Sequence, residues 1–180
     1  VYGQLGTGNQ FLITVMGNTL FPPSITSIAT GNSHTCAISM DSKLYCVGYN
    51  ANGEIGIDST ADRIITPTQV PGVAARAIGL GVFHTCAVLT SPNEEEDGEL
   101  QCWGDNNYAQ LGDGNGGYNV ASLTPVNVTG LSSSVVSVCG GLDHTCAALE
   151  DGTARCWGSN NDGQLGLGNS TIPYSLVPVN

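Results

Sequence analysis

Seven cysteines are the residues of this 180-residue chain whose chemistry is easiest to define. Six of them recur at matching places in three similar stretches, and each stretch begins with His-Thr-Cys-Ala. In the third stretch a three-residue hairpin turn would be formed by Glu150, Asp151 and Gly152, and the glycine supplies the left-handed residue that such a turn needs. That turn sets two cysteines opposite each other on antiparallel strands, at a separation that a disulfide accepts. We therefore predict three disulfide bonds: Cys36–Cys46, Cys86–Cys102 and Cys146–Cys156.

Two other uses of the paired cysteines stay open, namely buried free thiols in a reducing compartment and a zinc site. Free cysteine packs well in protein interiors. Zinc is the weaker alternative, because C-x-x-C pairs are absent and two cysteines in one hairpin do not assemble four ligands, so no metal site is predicted. Cys139 has no partner in this scheme and aligns with Ala29 and Gly79. We expect tight packing of an inner strand there, with a link to another chain as the alternative.

The three histidines all occupy one motif position, as His34, His84 and His144. Converging imidazoles could form a catalytic or metal site, but equivalent positions of successive repeats would be spread around a ring. We therefore predict a structural role, with a ring nitrogen bonded to local backbone of the same repeat. The sequence contains no nucleophile elbow, dinucleotide-binding glycine motif or His-Glu-x-x-His. No catalytic residue and no cofactor is predicted.

Acidic residues are concentrated in one stretch, residues 91–100, between the second pair of cysteines. The clustered oxygens could capture calcium, or they could contact a basic partner. The third possibility is a solvated extension of the hairpin. The residues concerned are Glu94, Glu95, Glu96, Asp97 and Glu99.

Two N-glycosylation sequons are present, Asn127-Val128-Thr129 and Asn169-Ser170-Thr171. We expect both in exposed segments between strands or between repeats, where Asn127 and Asn169 could carry glycans. Glycans and disulfides together indicate a secretory route. The predicted location is therefore extracellular or at the cell surface.

Composition indicates an all-β protein. Gly, Asn, Ser and Thr interrupt every candidate helix, and the apolar segments are short and β-branched. No stretch approaches the roughly 18 apolar residues of a membrane-spanning helix. Only 4 Lys and Arg oppose 15 Asp and Glu, which gives a formal charge of −11. This balance disfavours binding to nucleic acids and to anionic membranes, since both need cationic side chains.

Three repeats and part of a fourth organise the chain. After each His-Thr-Cys-Ala come a glycine-rich stretch, such as GQLGLGN, and a closing Pro-x-x-Val or a close variant of it. We divide the chain into the tail of a preceding repeat, 1–20, and repeats at 21–69, 70–126 and 127–180. Each repeat contains three or four short strand candidates, which is one small antiparallel sheet per copy. Sheets repeated at this spacing predict a β-propeller with blades of about four strands.

The order G-x-x-H-T-C-A, D-G, C-W-G-x-N-x-x-G-Q-L-G-x-G and P-x-x-V resembles the repeat of the regulator of chromosome condensation family, in its cysteine-containing form. The resemblance covers nearly all of the chain. The first repeat departs from it at two positions: Val47 occupies the position of Trp103 and Trp157, and Glu54 replaces the glutamine of the motif. The resemblance implies a seven-bladed β-propeller. Three repeats do not close a ring, and the chain opens inside a motif. We expect either a segment of a longer polypeptide or a protomer whose ring other copies complete.

The predicted function is a non-enzymatic, extracellular structural or protein-interaction scaffold built from disulfide-stapled blades. The main alternative, which the resemblance suggests, is a secreted inhibitor or regulator that binds a protein. A carbohydrate-binding or enzymatic propeller is the third hypothesis. Expected partners are proteins or further copies of the chain, with N-linked glycans attached and with neither nucleic acid nor a membrane span involved.

Overall fold

The computed structural model describes residues 3–8, 19–90, 98–168 and 171–180. All regular secondary structure in these ranges is β, in eleven antiparallel strands. The described part contains no helix that could cross a membrane. The strands are β1 (Ile25–Thr30), β2 (His34–Ser39), β3 (Lys43–Tyr49), β4 (Arg63–Leu80), β5 (His84–Leu89), β6 (Leu100–Asp105), β7 (Ala121–Asn127), β8 (Val135–Gly140), β9 (His144–Leu149), β10 (Ala154–Ser159) and β11 (Tyr174–Val179).

The strands form three blades of four strands each. Blade 1 consists of β1, β2, β3 and the first part of β4, and blade 2 of the second part of β4, β5, β6 and β7. Blade 3 consists of β8 to β11. Neighbouring inner strands approach closely, since a Cβ atom at Gly79 of β4 would lie 2.4 Å from the carbonyl oxygen of Val138 in β8. The predicted all-β fold with units of four antiparallel strands is confirmed.

Blades 1 and 2 share β4, whereas the repeats predict a separate sheet for each copy. Ala74 still pairs with Lys43 of β3, and the next residue, Ala75, pairs with Leu89 of β5. The strand therefore changes partners between consecutive residues, just after an irregular stretch, residues 70–73, that has no register partner. Between blades 2 and 3 the equivalent connection, residues 128–134, lies outside the strands.

Hydrophobic cores fill the spaces between the blades. One core lies between blades 1 and 2 and contains Cys36 and Cys46 together with Trp103 of blade 2. The next core repeats the arrangement, with Cys86 and Cys102 of blade 2 and Trp157 of blade 3. Blades 1 and 2 thus each bury their cysteine pair against the tryptophan of the following blade.

Each cysteine pair spans a hairpin whose turn contains a residue with positive φ. The strand register sets Cys146 opposite Cys156, and the turn between them has Gly152 at φ 82°. In blade 1 the corresponding turn places Ser42 at φ 63°, although a side chain is disfavoured in this region. The hairpin geometry was predicted from the Asp-Gly turn, and blade 1 adopts it without the glycine.

We predict that Ser42→Gly stabilises the protein by about 0.5–1 kcal/mol, because glycine relieves the left-handed strain while adding unfolded-state entropy. Gly152→Ser in blade 3 is the matched reverse substitution and should destabilise by a similar amount. Urea unfolding of both variants measures the two effects. Equal signs for the two substitutions would contradict this explanation.

Candidate functional site

A hydrogen-bonded cluster of four residues joins blade 1 to blade 2, an equivalent cluster joins blade 2 to blade 3, and we call each cluster a blade junction. At the first junction, Nε2 of His34 in blade 1 lies 2.9 Å from the hydroxyl oxygen of Thr85 in blade 2. The Thr85 hydroxyl donates to the carbonyl oxygen of Glu54 at 2.8 Å, and Trp103 Nε1 donates to the same oxygen at 2.9 Å. One backbone carbonyl oxygen of blade 1 therefore accepts hydrogen bonds from two side chains of blade 2.

The second junction repeats this geometry between blades 2 and 3. His84 Nε2 lies 2.9 Å from the Thr145 hydroxyl oxygen. Thr145 and Trp157 both donate to the carbonyl oxygen of Gln110, at 2.8 and 2.9 Å. The recurrence shows that the His-Thr dipeptide of the repeat motif contacts both neighbouring blades. Its histidine donates a hydrogen bond to the following blade, and its threonine accepts one from the histidine of the preceding blade.

These bonds fix the tautomer of the imidazoles. A threonine hydroxyl has one hydrogen, and that hydrogen is used on the carbonyl, so the hydroxyl must accept a hydrogen from the histidine. Nε2 of His34 and of His84 therefore carries the proton, and Nδ1 carries a lone pair. Nδ1 of all three histidines, including His144, is buried without a hydrogen-bond partner among the described residues.

Burial keeps the junction histidines neutral. Desolvation lowers the pKa of His34 to about 4, although the nearby backbone of His84 opposes the shift. For His84, desolvation and the neighbouring charges of His34 and His144 lower the pKa to about 3. Both imidazoles are therefore uncharged near neutral pH and act as hydrogen-bond donors.

The histidines bond across blades, so the predicted bond within the same repeat is wrong for His34 and His84. The motif shows that histidine and threonine recur together, but adjacent residues on a strand point to opposite faces. The histidine consequently reaches the following blade and the threonine the preceding blade, as His84 and Thr85 show. Thr85 and Thr145 are the functional residues that the sequence reasoning missed, and their recurrence in every repeat was the available signal.

Thr145→Val should destabilise the protein by about 2 kcal/mol, because the buried His84 Nε2–H loses its acceptor while the shape of the side chain is retained. Thr35→Val is the matched control. Thr35 has the same motif position in blade 1, but no histidine in the described ranges bonds to it, so a loss below about 1 kcal/mol is expected. Denaturant unfolding measures both, and equal losses would argue against the junction bond.

Carboxylates flank the junctions in positions that the sequence analysis did not identify as a group. Burial raises the pKa of Glu54, whose carboxylate accepts hydrogen bonds from the backbone and side-chain amides of Asn52. Burial likewise raises the pKa of Asp105, which accepts a 2.7 Å bond from Gln110 Nε2. The pKa of Asp143 is raised by the same cause. The carboxylates of Glu54 and Asp105 orient neighbouring loop residues through these hydrogen bonds.

All three predicted cysteine pairs are joined by disulfide bonds in the structure: Cys36–Cys46, Cys86–Cys102 and Cys146–Cys156. Cys139 is a free cysteine and is exposed. Its side chain is therefore not packed as expected, although its backbone is close to Gly79, where a Cβ atom would lie 2.9 Å from the Cys139 Cα atom.

The other predicted surface sites are only partly described. Asn127 is exposed and is the last residue of β7, not part of a connecting segment, and its Oδ1 accepts a 2.9 Å bond from Gln101 Nε2. Glu99 is exposed at the base of the acidic loop. Asn169 and the remaining loop residues, Glu94, Glu95, Glu96 and Asp97, lie outside the described residues.

The junction geometry is suited to rigid assembly of blades. Its polar groups bond to one another in the interior, and its histidines are neutral. Across the ranges that the structure describes, no group of three or more His, Cys, Asp and Glu side chains is placed to hold a metal ion. The arrangement therefore fixes the orientation of each blade relative to the next.

Models of the regulator of chromosome condensation (RCC1) repeat match residues 25–54, 97–148 and 135–164. The chain belongs to the RCC1 repeat family. The Ultraviolet-B receptor UVR8 of Arabidopsis thaliana is 32% identical over 98% of this chain and 39% of the receptor. Protein pim1 of Schizosaccharomyces pombe is 27% identical over 97% of this chain and 32% of that protein. The chain thus spans about two fifths or less of these relatives.

Among solved RCC1 structures, Prp20p of Saccharomyces cerevisiae, studied for its binding to Gsp1p and histones, superposes with a TM-score of 0.80. The match covers 98% of this chain and 43% of Prp20p, at 23% sequence identity. At this identity the likeness shows the fold alone. It confirms the predicted β-propeller architecture, with the three blades corresponding to part of an RCC1 ring.

Proposed function

We propose that this RCC1-type chain contributes to a non-enzymatic scaffold that binds other proteins outside the cell and is held rigid by one disulfide in each blade. The observation that carries the proposal is the burial of Cys36–Cys46 and Cys86–Cys102 in the cores between blades, with each of these four cysteines 0% exposed. A hairpin crosslink of this size stabilises a fold by roughly 2–3 kcal/mol in the loop-closure model. Disulfides inside the hydrophobic cores between the blades therefore reinforce the contacts that fix the orientation of neighbouring blades.

The paired cysteines support an oxidising location. Disulfides persist in secreted and cell-surface proteins and are rare in the cytosol. Six of the seven cysteines are paired, all within single blades. Glycans on Asn127, which is exposed, and on Asn169 would accompany the same secretory route.

The surface charge supports a protein partner with a basic face. The chain carries 15 acidic and 4 basic residues, and the side chain of Lys43 is paired with Asp41. Complementary charge guides protein association and selects among partners. Prp20p, which shares the fold, is a protein studied for its binding to Gsp1p and histones, so propellers of this type offer surfaces for protein contacts.

The junction histidines support a non-enzymatic role. His34 and His84 are 1% and 0% exposed, and their Nε2 atoms are engaged with threonines. A general acid or base must reach the proton that it transfers. These buried imidazoles cannot reach a substrate, and their role is to hold neighbouring blades together through hydrogen bonds.

The thiol state of the protein in its native source tests the proposed location. Thiols are alkylated before the material is disrupted, and the chain is then mapped without reduction. We expect one modified thiol per chain, in blade 3, with Cys36, Cys46, Cys86 and Cys102 all protected. Alkylation of those four residues in fresh material would overturn the extracellular placement.

Enzymatic removal of N-glycans tests the glycan part of the proposal separately. A decrease in mass, with conversion of Asn127 or Asn169 to aspartate at the released site, is expected. An unchanged mass would overturn the glycan assignment and leave the thiol result unaffected.

A further inference from the structure

Blade 3 has a third cysteine directly beside its disulfide. The strand register pairs Cys139 of β8 with Cys146 of β9, and Cys146 with Cys156 of β10. Residues directly opposite on antiparallel strands project from the same face of the sheet and interact. The three cysteines therefore form a row across three strands, with Cys146 in the middle. In blades 1 and 2 the position of Cys139 is occupied by Ala29 and Gly79.

The geometry allows Cys146 to bridge to either neighbour. Its Cα atom lies 4.1 Å from that of Cys156, a separation close to that of a non-hydrogen-bonded antiparallel pair. The backbone N–H and C=O of Cys146 consequently point toward β8, and the Cys139 thiol donates to the Cys146 carbonyl oxygen at 3.7 Å. Cys139 and Cys146 thus form the hydrogen-bonded type of pair, with Cα atoms about 5.5 Å apart. That separation is within the range that disulfides span, about 4.4–6.8 Å.

We propose that blade 3 isomerises its disulfide by intramolecular thiol–disulfide exchange between these three cysteines. The Cys139 thiolate attacks Sγ of Cys146, the Cys139–Cys146 bond forms, and the Cys146–Cys156 bond breaks. Cys156 leaves as a thiolate and takes up a proton from solvent, to which Cys139 has released its own. The number of disulfides and thiols is unchanged, so the step needs no oxidant or reductant.

The order of the row favours this step, because the attacking and leaving sulfurs belong to strands on opposite sides of β9. Exchange requires a thiolate with access to the central sulfur. In blades 1 and 2 the place of Cys139 is taken by Ala29 and Gly79, which carry no thiol. Blade 3 is therefore the one described blade in which the crosslink can move, from the β9–β10 hairpin to the β8–β9 hairpin.

Exchange would change which strands are tied together. In the resting arrangement the crosslink joins the two middle strands, β9 and β10. After exchange it joins β9 to β8, the innermost strand, and releases Cys156, whose register partner on β11 is Val179. The inner half of blade 3 is then crosslinked and the outer half is not. This goes beyond a fixed scaffold, because one blade has two covalent states.

The variant Cys156→Ala tests the geometry in the full chain. The protein is oxidised in a glutathione redox buffer at pH 8 and mapped without reduction. We expect a Cys139–Cys146 disulfide. Cys46→Ala is the matched control, because it leaves Cys36 opposite Ala29 and should give an unpaired Cys36. Free Cys139 and Cys146, in a sample whose other two disulfides are intact, would overturn the proposal.

The unmodified sequence gives a second test that does not depend on the folding of a variant. The protein is held at pH 8 without added thiol, quenched with acid, alkylated with a reagent active at low pH and mapped. Label divided between Cys139 and Cys156 is expected, and Cys139→Ser should abolish labelling at both positions. Label on Cys139 alone after many hours would overturn the proposal.

Discussion

Lowering the pH from 7 to 5 should remove about 4 kcal/mol of the free energy of unfolding through the two junction histidines. His34 and His84 have folded pKa values of about 4 and about 3, against 6.5 for an unperturbed histidine. Between pH 6.5 and these values the unfolded chain binds more protons than the folded chain. The contribution of both histidines is therefore complete above pH 6.5 and is lost as the pH falls. Each histidine contributes a slope of about 1 kcal/mol per pH unit on average between pH 7 and 5, and the slope approaches about 1.4 well below pH 6.5.

The buried carboxylates act in the opposite direction. The folded pKa values of Glu54, Asp105 and Asp143 are raised, so the folded chain binds more protons than the unfolded chain as these groups titrate. Their contribution increases as the pH falls and offsets part of the histidine effect. The histidine effect must therefore be isolated with a variant.

The variant His84→Gln separates the two effects, because glutamine keeps a donor for Thr145 and does not titrate. Urea unfolding of both proteins at pH 7, 6 and 5 should show a slope in the variant that is smaller by about 1 kcal/mol per pH unit, averaged over this range. Parallel curves for the two proteins would mean that the His84 imidazole does not resist protonation in the folded state.

Gly81→Ala should destabilise the protein by about 3–4 kcal/mol, through overpacking together with the loss of a junction hydrogen bond. A Cβ atom at this position would lie 2.0 Å from Cε1 of His84 and 2.8 Å from the carbonyl oxygen of Gly141. The imidazole would have to move away from Thr145, and blade 3 would have to shift. The backbone at Gly81 has no positive φ, so the effect comes from space alone.

Gly114→Ala provides the complementary control for this substitution. Gly114 has φ 86°, and a Cβ atom added there would meet no heavy atom within 4 Å, so only backbone strain of about 1 kcal/mol is expected. Denaturant unfolding ranks the two variants. A smaller loss for Gly81→Ala than for Gly114→Ala would contradict the steric role of the motif glycine.

Local features of this fold could be predicted because they repeat and depend on nearby residues. The cysteines of blade 3 are ten residues apart around Gly152, and hairpin geometry alone then sets them opposite each other. The cysteines of blade 2 are sixteen residues apart, and their pairing was predicted from the repeat instead. Four-stranded blades followed from short strand candidates within each copy.

Features that depend on contacts between copies could not be predicted in the same way. The repeat gives the position of His84 but not the blade to which its ring points, and the structure shows that it meets Thr145 of the next blade. The continuity of β4 depends on Ala74 keeping its partner in blade 1 while Ala75 takes one in blade 2. Both depend on the orientation of neighbouring blades, which no single copy encodes.

The shared strand also determines where the backbone can be cut. Ala74 and Ala75 at the blade boundary are paired in blade 1 and blade 2 respectively, so a cut between them would break main-chain pairing in both blades. Residues 128–134 connect β7 to β8 outside the strands, and Gly130 there is exposed. Proteases cleave, and circular permutants tolerate new ends, at such segments. A cut within residues 128–134 should consequently leave blades 1 and 2 together in one fragment, joined through β4.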